Sequence, residues 1–567
     1  MPISADLIHK YVLANAIKYN GKANPGAVLG KLLSEDPSLK TEIKALSQAI
    51  ALEIKKMSSV SVEKQRLELE KIAPELLEEK HEKEEVKVPE LEHVSGNVVM
   101  RFAPSPSGPL HIGHTYVLAL NIALCQKYKG KLILRLEDTN PENLDPKAYT
   151  LIPEDAKWIT GDKVSQVYIQ SERMDEYYKH AEKVLELGKA YLCECDSEEF
   201  RVLLGKGKAC PCRELPVKEQ LMRWKKMFKG YNQCDAVMRI KTDLDHPNPA
   251  MKDWPAFRIN EASHPHTGTK YRVWPLMNFA VAIDDHLLGI THTVRGKDHM
   301  DNEKRQKYLF DYFGWKTPVH AYVGRINFEG FDLSTTQTRK KIEAGEYTSW
   351  DDIRLPFLRA FQRRGYKPEA FVRLGLGMGL GENDKTVSQE EFYKLLNHYN
   401  KQLIDGTSNR YFLIFDPVKV HILNAPEKKV HLALHPDHPE RGERNFVTKT
   451  NFYFSGDDVN RLHEKKVHRL MDCCNFVKDG EKYMYASETH DVYRDSKNKG
   501  IIMHYLPVVK DLVPVEVLLL DGTVKKGFGE PGLKSLKVGD LIQAERFGFL
   551  KLDAITNGTY SFWFTHK

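Results

Sequence analysis

Asn97-Val98-Val99-Met100-Arg101-Phe102-Ala103-Pro104-Ser105-Pro106-Ser107-Gly108-Pro109-Leu110-His111-Ile112-Gly113-His114-Thr115 passes from strand to loop to helix within nineteen residues, and its reading decides the fold. The run ending at Phe102 is apolar, as a buried strand is. Three prolines and a glycine make the next seven residues a turning loop. Thr115 to Tyr128 then continues as an apolar helix. A second apolar run, Lys131-Leu132-Ile133-Leu134-Arg135-Leu136, follows directly. The order is strand, helix, strand, the rhythm of a parallel sheet whose ligand site lies beyond the strands' carboxyl ends.

The loop enters its helix through Leu110-His111-Ile112-Gly113-His114. A helix start carries unpaired N–H groups and the positive end of the helix dipole, and both face a phosphate placed there. Gly113 has no Cβ to keep a nucleotide away from the backbone. His111 and His114 can donate hydrogen bonds to charge that develops on a reacting phosphoryl group. The stretch is therefore read as an ATP site.

Working outward, 567 residues with 41% hydrophobic and 29% charged content exceed one core and exclude a disordered chain, so several soluble domains are expected. No apolar run is long enough to span a bilayer, and the first residues lack the pattern of a secretory signal, so a cytoplasmic location is expected. A net charge of +6 permits a polyanionic partner without requiring one. Toward the amino terminus, Ile43, Leu46, Ile50 and Ile54 recur at helical spacing among Lys and Glu, which predicts a small helical module. The nearly all-charged run Leu77 to Glu90 closes on Pro89 and reads as a solvated linker or exposed helix end. From about Asn409 the pattern changes to short alternating segments such as Val430 to Leu434, Val515 to Leu520 and Ser561 to Phe564, an all-β region read as barrels.

Four of the eight cysteines cluster as Cys193-Glu194-Cys195 and Cys210-Pro211-Cys212. Two Cys-X-Cys pairs can bring four thiolates to one tetrahedral metal, and zinc is the usual occupant. The alternative is four reduced thiols without metal. Cys234 is a spare candidate ligand, while Cys125, Cys473 and Cys474 read as core residues.

The whole segment Arg101 to His114 resembles the signature loop of glutamyl-tRNA synthetases, which are class I aminoacyl-tRNA synthetases. The resemblance continues in Arg135 to Asn140, Asp253 to Ile259, Asp284 to Gly296 and Asn409 to Phe412, and the β-rich end resembles the archaeal type. It implies a multidomain α/β plus all-β architecture: a helical amino-terminal module and linker over 1–94, a Rossmann-like catalytic domain in halves 95–190 and 266–330, an inserted acceptor-end-binding domain over 191–265, a mobile-loop and helical stem-contact region over 331–408, and a β-barrel anticodon-binding region over 409–567. It also implies ATP with Mg²⁺, a structural Zn²⁺ held by the four cysteines, L-glutamate and tRNA(Glu) as partners, tRNA(Gln) as a further candidate acceptor, and a monomer.

By the same resemblance, Pro104, Ser105, Gly108, His111, Gly113 and His114 meet ATP, Arg101, Ser105 and Asn278 meet the amino acid, and Glu137 holds its ammonium. Glutamate and glutamine are nearly one shape, so a site separates them by charge and hydrogen-bond polarity. A guanidinium offers only donors, in a fork that fits a carboxylate. Arg295 stands where similar glutaminyl enzymes carry a small neutral side chain, which favours glutamate; the bland reading is that Arg295 pairs with Asp284 or Asp285. Met277 occupies the place of a tyrosine found in bacterial glutamyl enzymes, so either another hydroxyl such as that of Tyr271 replaces it or the pocket relies on its arginines. Phe331-Asp332-Leu333-Ser334-Thr335-Thr336-Gln337-Thr338-Arg339-Lys340-Lys341 resembles the second, mobile signature loop, with Thr335 in place of the usual lysine. Ser334, Arg339 and Lys340 are its candidates for phosphate, and a solvated helix start is the alternative. The rival readings are a glutaminyl enzyme, a short tRNA-modifying relative and a catalytically silent tRNA-binding paralogue.

Overall fold

The computed structural model describes residues 5–18, 21, 23–35, 39, 42–57, 60–73, 76 and 88–567. They belong to two units, 1–85 and 86–567. Most of the charged run from Leu77 lies outside the described residues. Its end is held: Lys127 donates to the carbonyls of Val88 and Pro89 at 3.0 and 3.2 Å.

The first unit contains helices Ala5–Lys18, Pro25–Glu35, Ile43–Met57 and Val62–Ile72. Val12, Leu32, Leu46 and Ile50 meet in its core. Of the helical spacing read from Ile43 onward, Leu46, Ile50 and Ile54 form the packing face, whereas Ile43 is exposed. His9 bonds Glu53 and Glu68 on two other helices at 2.8 and 3.1 Å.

In the second unit, Val99–Phe102, Lys131–Leu136 and Val164–Ile169 form a parallel sheet in that order, with Arg101 opposite Ile133. The connecting helix Ile112–Lys127 is buried along nearly its whole length, because the sheet lies on one side and helix Pro368–Gly377 packs on the other. That is why its sequence is apolar all round rather than striped. His292–Gly296 and Val319–Val323 form a further parallel pair. It adjoins the sheet, with the Val99 N–H donating to Thr291 Oγ1 at 2.9 Å.

Between these halves stands an antiparallel sheet of Ala190–Cys193, Val237–Ile240, Pro255–Ile259 and Val273–Pro275, with its own aromatic core around Trp224, Phe257 and Trp274. Asp138 ties this insertion to the first sheet. Its carboxylate accepts from Tyr149, Ser171 N and Ser171 Oγ at 2.7–2.8 Å, and its carbonyl faces His264 Nε2 at 2.9 Å. The last third is β-rich, as the alternating sequence predicted, and holds two seven-stranded sheets. Among the described residues no helix is long and apolar enough to cross a membrane.

Candidate active site

A cleft of about 270 Å³ opens at the carboxyl ends of Val99–Phe102, Lys131–Leu136 and His292–Gly296. Its walls include Arg101, Pro104, Gly113, His114, Glu137, Met277, Arg295, His299 and Gln306. The strand ends supply the charged groups and the first helix supplies Gly113 and His114.

The two histidines build the helix start themselves. The Gly113 N–H donates to His111 Nδ1 at 3.0 Å and the His111 N–H to His114 Nδ1 at 3.1 Å, while the rings lie 3.9 Å apart. Burial lowers His114 to about 4, and burial with the neighbouring ring lowers His111 well below its ordinary value. Both imidazoles are therefore neutral at pH 7, and since each Nδ1 accepts a proton bond, each carries its proton on Nε2. They are hydrogen-bond donors, not cations. Gly113 is required here, because a Cβ would meet the His111 ring at 2.8 Å.

The segment Pro356 to Leu358 straps this motif from outside: the Ile112 N–H donates to the Pro356 carbonyl and the Leu358 N–H to the Leu110 carbonyl, at 3.1 and 2.9 Å. Asp155 accepts from the Leu110 N–H at 3.0 Å and faces Arg359 Nε at 3.2 Å. Burial raises its carboxyl to about 7, against the pull of Arg359 and the Leu110 N–H. An unfolded aspartate titrates near ~3.9, so the fold favours the protonated form: the stability this group lends is complete below that value and is lost as pH rises through 7. Asp155→Asn removes the titration and keeps an acceptor. Thermal melts from pH 5 to 8 should show wild type losing ground to this variant as pH rises; parallel curves would contradict the assignment.

Arg135 is fully buried and organises the cleft floor. It donates to Asp285 at 2.7 Å and to Glu137 at 2.9 Å, and lies 3.9 Å from Asp284. Burial alone would raise Asp285, but Arg101, Arg135 and Arg295 hold it far below the ordinary carboxylate range. Glu137 is thus fixed by one oxygen, with its other side on the cleft. Arg101 meets Asp285 through Nε only, at 3.4 Å.

Arg295 is 6% exposed and lines the same cleft. Among the described residues it forms no ion pair with Asp284 or Asp285. Its terminal nitrogens donate to Gln306 Oε1 at 3.4 and 3.5 Å, and its Nε–H has no acceptor. Burial, then the charge of Arg101, lowers it to about 10, so it stays charged at neutral pH. Asn278 does not line this cleft; its Oδ1 accepts from Gln306 Nε2 at 3.2 Å. Met277 does line it, while Tyr271 packs edge-on to Tyr178 and Trp274 in the insertion. The hydroxyl that stands near Arg295 is that of Tyr322, which donates to Glu303.

The second loop lies against the first. Ser107 and Thr335 share a hydrogen bond at 3.1 Å, and a Cβ on Gly108 would meet Thr335 at 3.0 Å. Ser334 caps helix Thr335–Glu343, its Oγ accepting from the Gln337 N–H at 3.3 Å. Arg339 donates to the Leu144 carbonyl at 3.1 Å, and Lys340 is exposed. Ser105 is exposed on the signature loop. Arg135, Gln306, His299 and Asp155 were not singled out by sequence reasoning. Arg135 sat inside a quoted motif; the other three carry no local signal.

Away from the cleft, Cys193, Cys195, Cys210 and Cys212 bring their sulfurs within 4.8 Å of one another. The pairs Cys193–Cys210 and Cys195–Cys212 stand at 3.9 and 3.8 Å. Cys234 is exposed and outside the group, whereas Cys125, Cys473 and Cys474 are buried.

Residues 97–401 match the family of tRNA synthetases class I (E and Q), catalytic domain, and residues 408–489 match the anticodon binding domain of the same class. The chain is 43% identical over 563 residues to the glutamate–tRNA ligase of Methanothermobacter thermautotrophicus, covering 99% of each. It is 44% identical to those of Methanocaldococcus jannaschii, with 98% of each covered, and Pyrococcus furiosus, with 98% of this chain and 99% of that one covered. A cleft at a helix start that two histidines cap, over a buried arginine–carboxylate floor, with these matches across nearly the whole length, places the chain in the class I tRNA synthetases of the glutamate and glutamine type.

Proposed function

We infer that this chain is a glutamate–tRNA ligase. It uses ATP to activate glutamate and then transfers the aminoacyl group to tRNA. The observation that carries the choice of amino acid is Arg295, a buried guanidinium with no carboxylate of its own in a cleft that also holds Arg101 and Glu137. A buried cation without a partner is costly, and the distal carboxylate of glutamate supplies that partner where an amide would not.

Glu137, fixed by Arg135, takes the substrate ammonium. Arg101 and Arg295 take its distal carboxylate, Ser105 borders the amino acid, and Asn278 acts from behind Gln306. Pro104, Gly108 and Gly113 let ATP lie along the loop, with Mg²⁺ accompanying the phosphates. An oxygen of the glutamate α-carboxylate attacks the α-phosphorus, the bond to the bridging oxygen breaks, and pyrophosphate leaves with the electron pair. The Nε2–H groups of His111 and His114 stabilise the charge that builds on the phosphoryl oxygens. Ser334 caps, and Arg339 and Lys340 lie on, the helix that follows the second loop, which would close over the pyrophosphate. The terminal ribose hydroxyl of tRNA(Glu) then attacks the acyl carbon and AMP departs.

The inserted sheet would receive the acceptor end and the β-rich third the anticodon, whose unstacked bases rest on side chains. The four cysteines fit a structural Zn²⁺: with Zn–S bonds of about 2.3 Å a tetrahedron has edges of about 3.8 Å, the separation of the two sulfur pairs.

Charging purified tRNA(Glu) and tRNA(Gln) with labelled glutamate and, separately, labelled glutamine tests the reading. Glutamate on tRNA(Glu) is the expected product, and glutamate on tRNA(Gln) would add a second acceptor. Preferential attachment of glutamine would overturn it.

A further inference from the structure

The amide of Gln306, which lines the same cleft, faces Arg295, and its orientation is not free. Its Nε2 donates to Asn278 Oδ1 at 3.2 Å, so its oxygen is the atom left for Arg295. Asn278 is oriented in turn, because its Nδ2 donates to Asn302 Oδ1 at 3.3 Å. That same oxygen accepts from Arg305 Nη1 at 3.1 Å. An arginine has only donors, so a guanidinium at each end leaves one consistent arrangement of the three amides between them. Asn302 Nδ2 then meets His299 Nδ1 at 2.9 Å, which puts the proton of that cleft histidine on Nε2.

We propose that Gln306, held by Asn278 and Asn302, is a positioning residue that sets the amino acid preference by giving Arg295 a neutral acceptor in place of a carboxylate. The proposal rests on the assignment of Arg295 to the distal carboxylate of the substrate. Three features carry it. The contact is long, 3.4 and 3.5 Å, so the guanidinium is steadied without being saturated. Arg295 Nε has no acceptor among the described residues. Gln306 is 3% exposed, so solvent does not compete for its oxygen. A carboxylate in that place would form a buried ion pair with Arg295 and cancel the charge on which the substrate depends. The same reasoning explains why an asparagine expected to touch glutamate stands one side chain behind the cleft: it acts through the amide that it orients.

The test is Gln306→Glu, which changes one atom of the side chain without changing its shape, beside Gln306→Met, which removes the acceptor and keeps the bulk. Steady-state charging of saturating tRNA(Glu) gives kcat and KM for glutamate and for glutamine. For Gln306→Glu the KM for glutamate should rise roughly a hundredfold, on the scale of one lost charge pairing, with kcat within about threefold. Glutamine, which needs no cation, should lose less than about threefold, so the preference narrows by more than tenfold. Gln306→Met should raise the KM for glutamate by less than tenfold and leave the preference on the side of glutamate. A purely structural role for Gln306 would lower kcat/KM for both amino acids together in both variants, and that outcome overturns the proposal. If either variant fails to fold by circular dichroism, Asn278→Asp serves instead, because it keeps the acceptor for Gln306 Nε2 but places a carboxylate one side chain behind Arg295, and it should narrow the same ratio by less than Gln306→Glu does. Arg295→Leu in parallel separates the two levels: an unchanged preference there defeats the assignment of Arg295, whereas a changed preference there with an unchanged one in Gln306→Glu defeats only the role of Gln306.

Discussion

Arg295→Leu should lower kcat/KM for glutamate by two to three orders of magnitude and that for glutamine by less than tenfold. Removing one partner of a buried charge pair costs about 3–5 kcal/mol, because the other charge is left without compensation. Here the stranded charge would be the distal carboxylate of the substrate in a cleft where Arg101 already spends one nitrogen on Asp285. Most of the loss should appear in KM, since the distal group is bound equally in ground and transition states. Leucine preserves bulk beside Met277 and Val294, so a melting midpoint near that of wild type is expected. Removing a cation that depresses Asp285 leaves Arg101 and Arg135 to keep that carboxylate ionised. Glutamate kcat/KM within threefold of wild type would show that the site reads its substrate elsewhere.

How much of this was legible in the sequence follows from the range of the interactions. The strand, loop and helix around His111 are local: prolines, a glycine and apolar runs decide them within twenty residues, and the structure keeps them, with the helix starting at Ile112 rather than Thr115 because His111 and His114 cap it. The β-rich third and the cysteine group were equally visible, because alternation and Cys-X-Cys spacing are short-range signals. What the sequence did not carry was the second layer of the cleft. Arg135 meets Asp285 across 150 positions, and Gln306 meets Asn278 across 28. Nothing in the neighbourhood of a glutamine in a helix says which amide it faces. For the same reason Asn278 was read as a direct contact. Tyr271 was a candidate hydroxyl on nearness in sequence alone, while Tyr322 reaches Arg295 from the next strand of the parallel pair. The mobile loop was read with cations on phosphate; one of them, Arg339, is engaged with the Leu144 carbonyl, so any phosphate contact from it requires the loop to rearrange on binding.

The largest structural effect should come from metal removal. The small cluster of Tyr191, Cys193, Phe200, Cys210 and Cys212 is separate from the aromatic core of the insertion and has few apolar side chains of its own. Such a cluster offsets little of the entropy of ordering the segment between the two cysteine pairs, and on the proposed zinc reading metal–thiolate bonding supplies the difference. Structural zinc supplies on the order of 10 kcal/mol in isolated finger peptides. Arg223, which donates to Cys212 at 3.4 Å, adds a positive charge beside the four sulfurs. The purified chain should therefore contain one zinc per molecule, and stripping it with a strong chelator should open the segment locally while Trp224 and Phe257 keep the sheet folded. Arg201, Lys206 and Lys208 are exposed within that segment, so tryptic cleavage there should speed up by roughly a hundredfold as its local opening energy falls toward zero. Charging should fall with it, through the KM for tRNA more than through that for glutamate, because the cleft residues belong to other elements. Cys210→Ser should reproduce both effects without chelator. A chain that holds no zinc, or one whose cleavage rate is indifferent to its removal, would mean that the four sulfurs stand together as thiols and that apolar packing alone orders the segment.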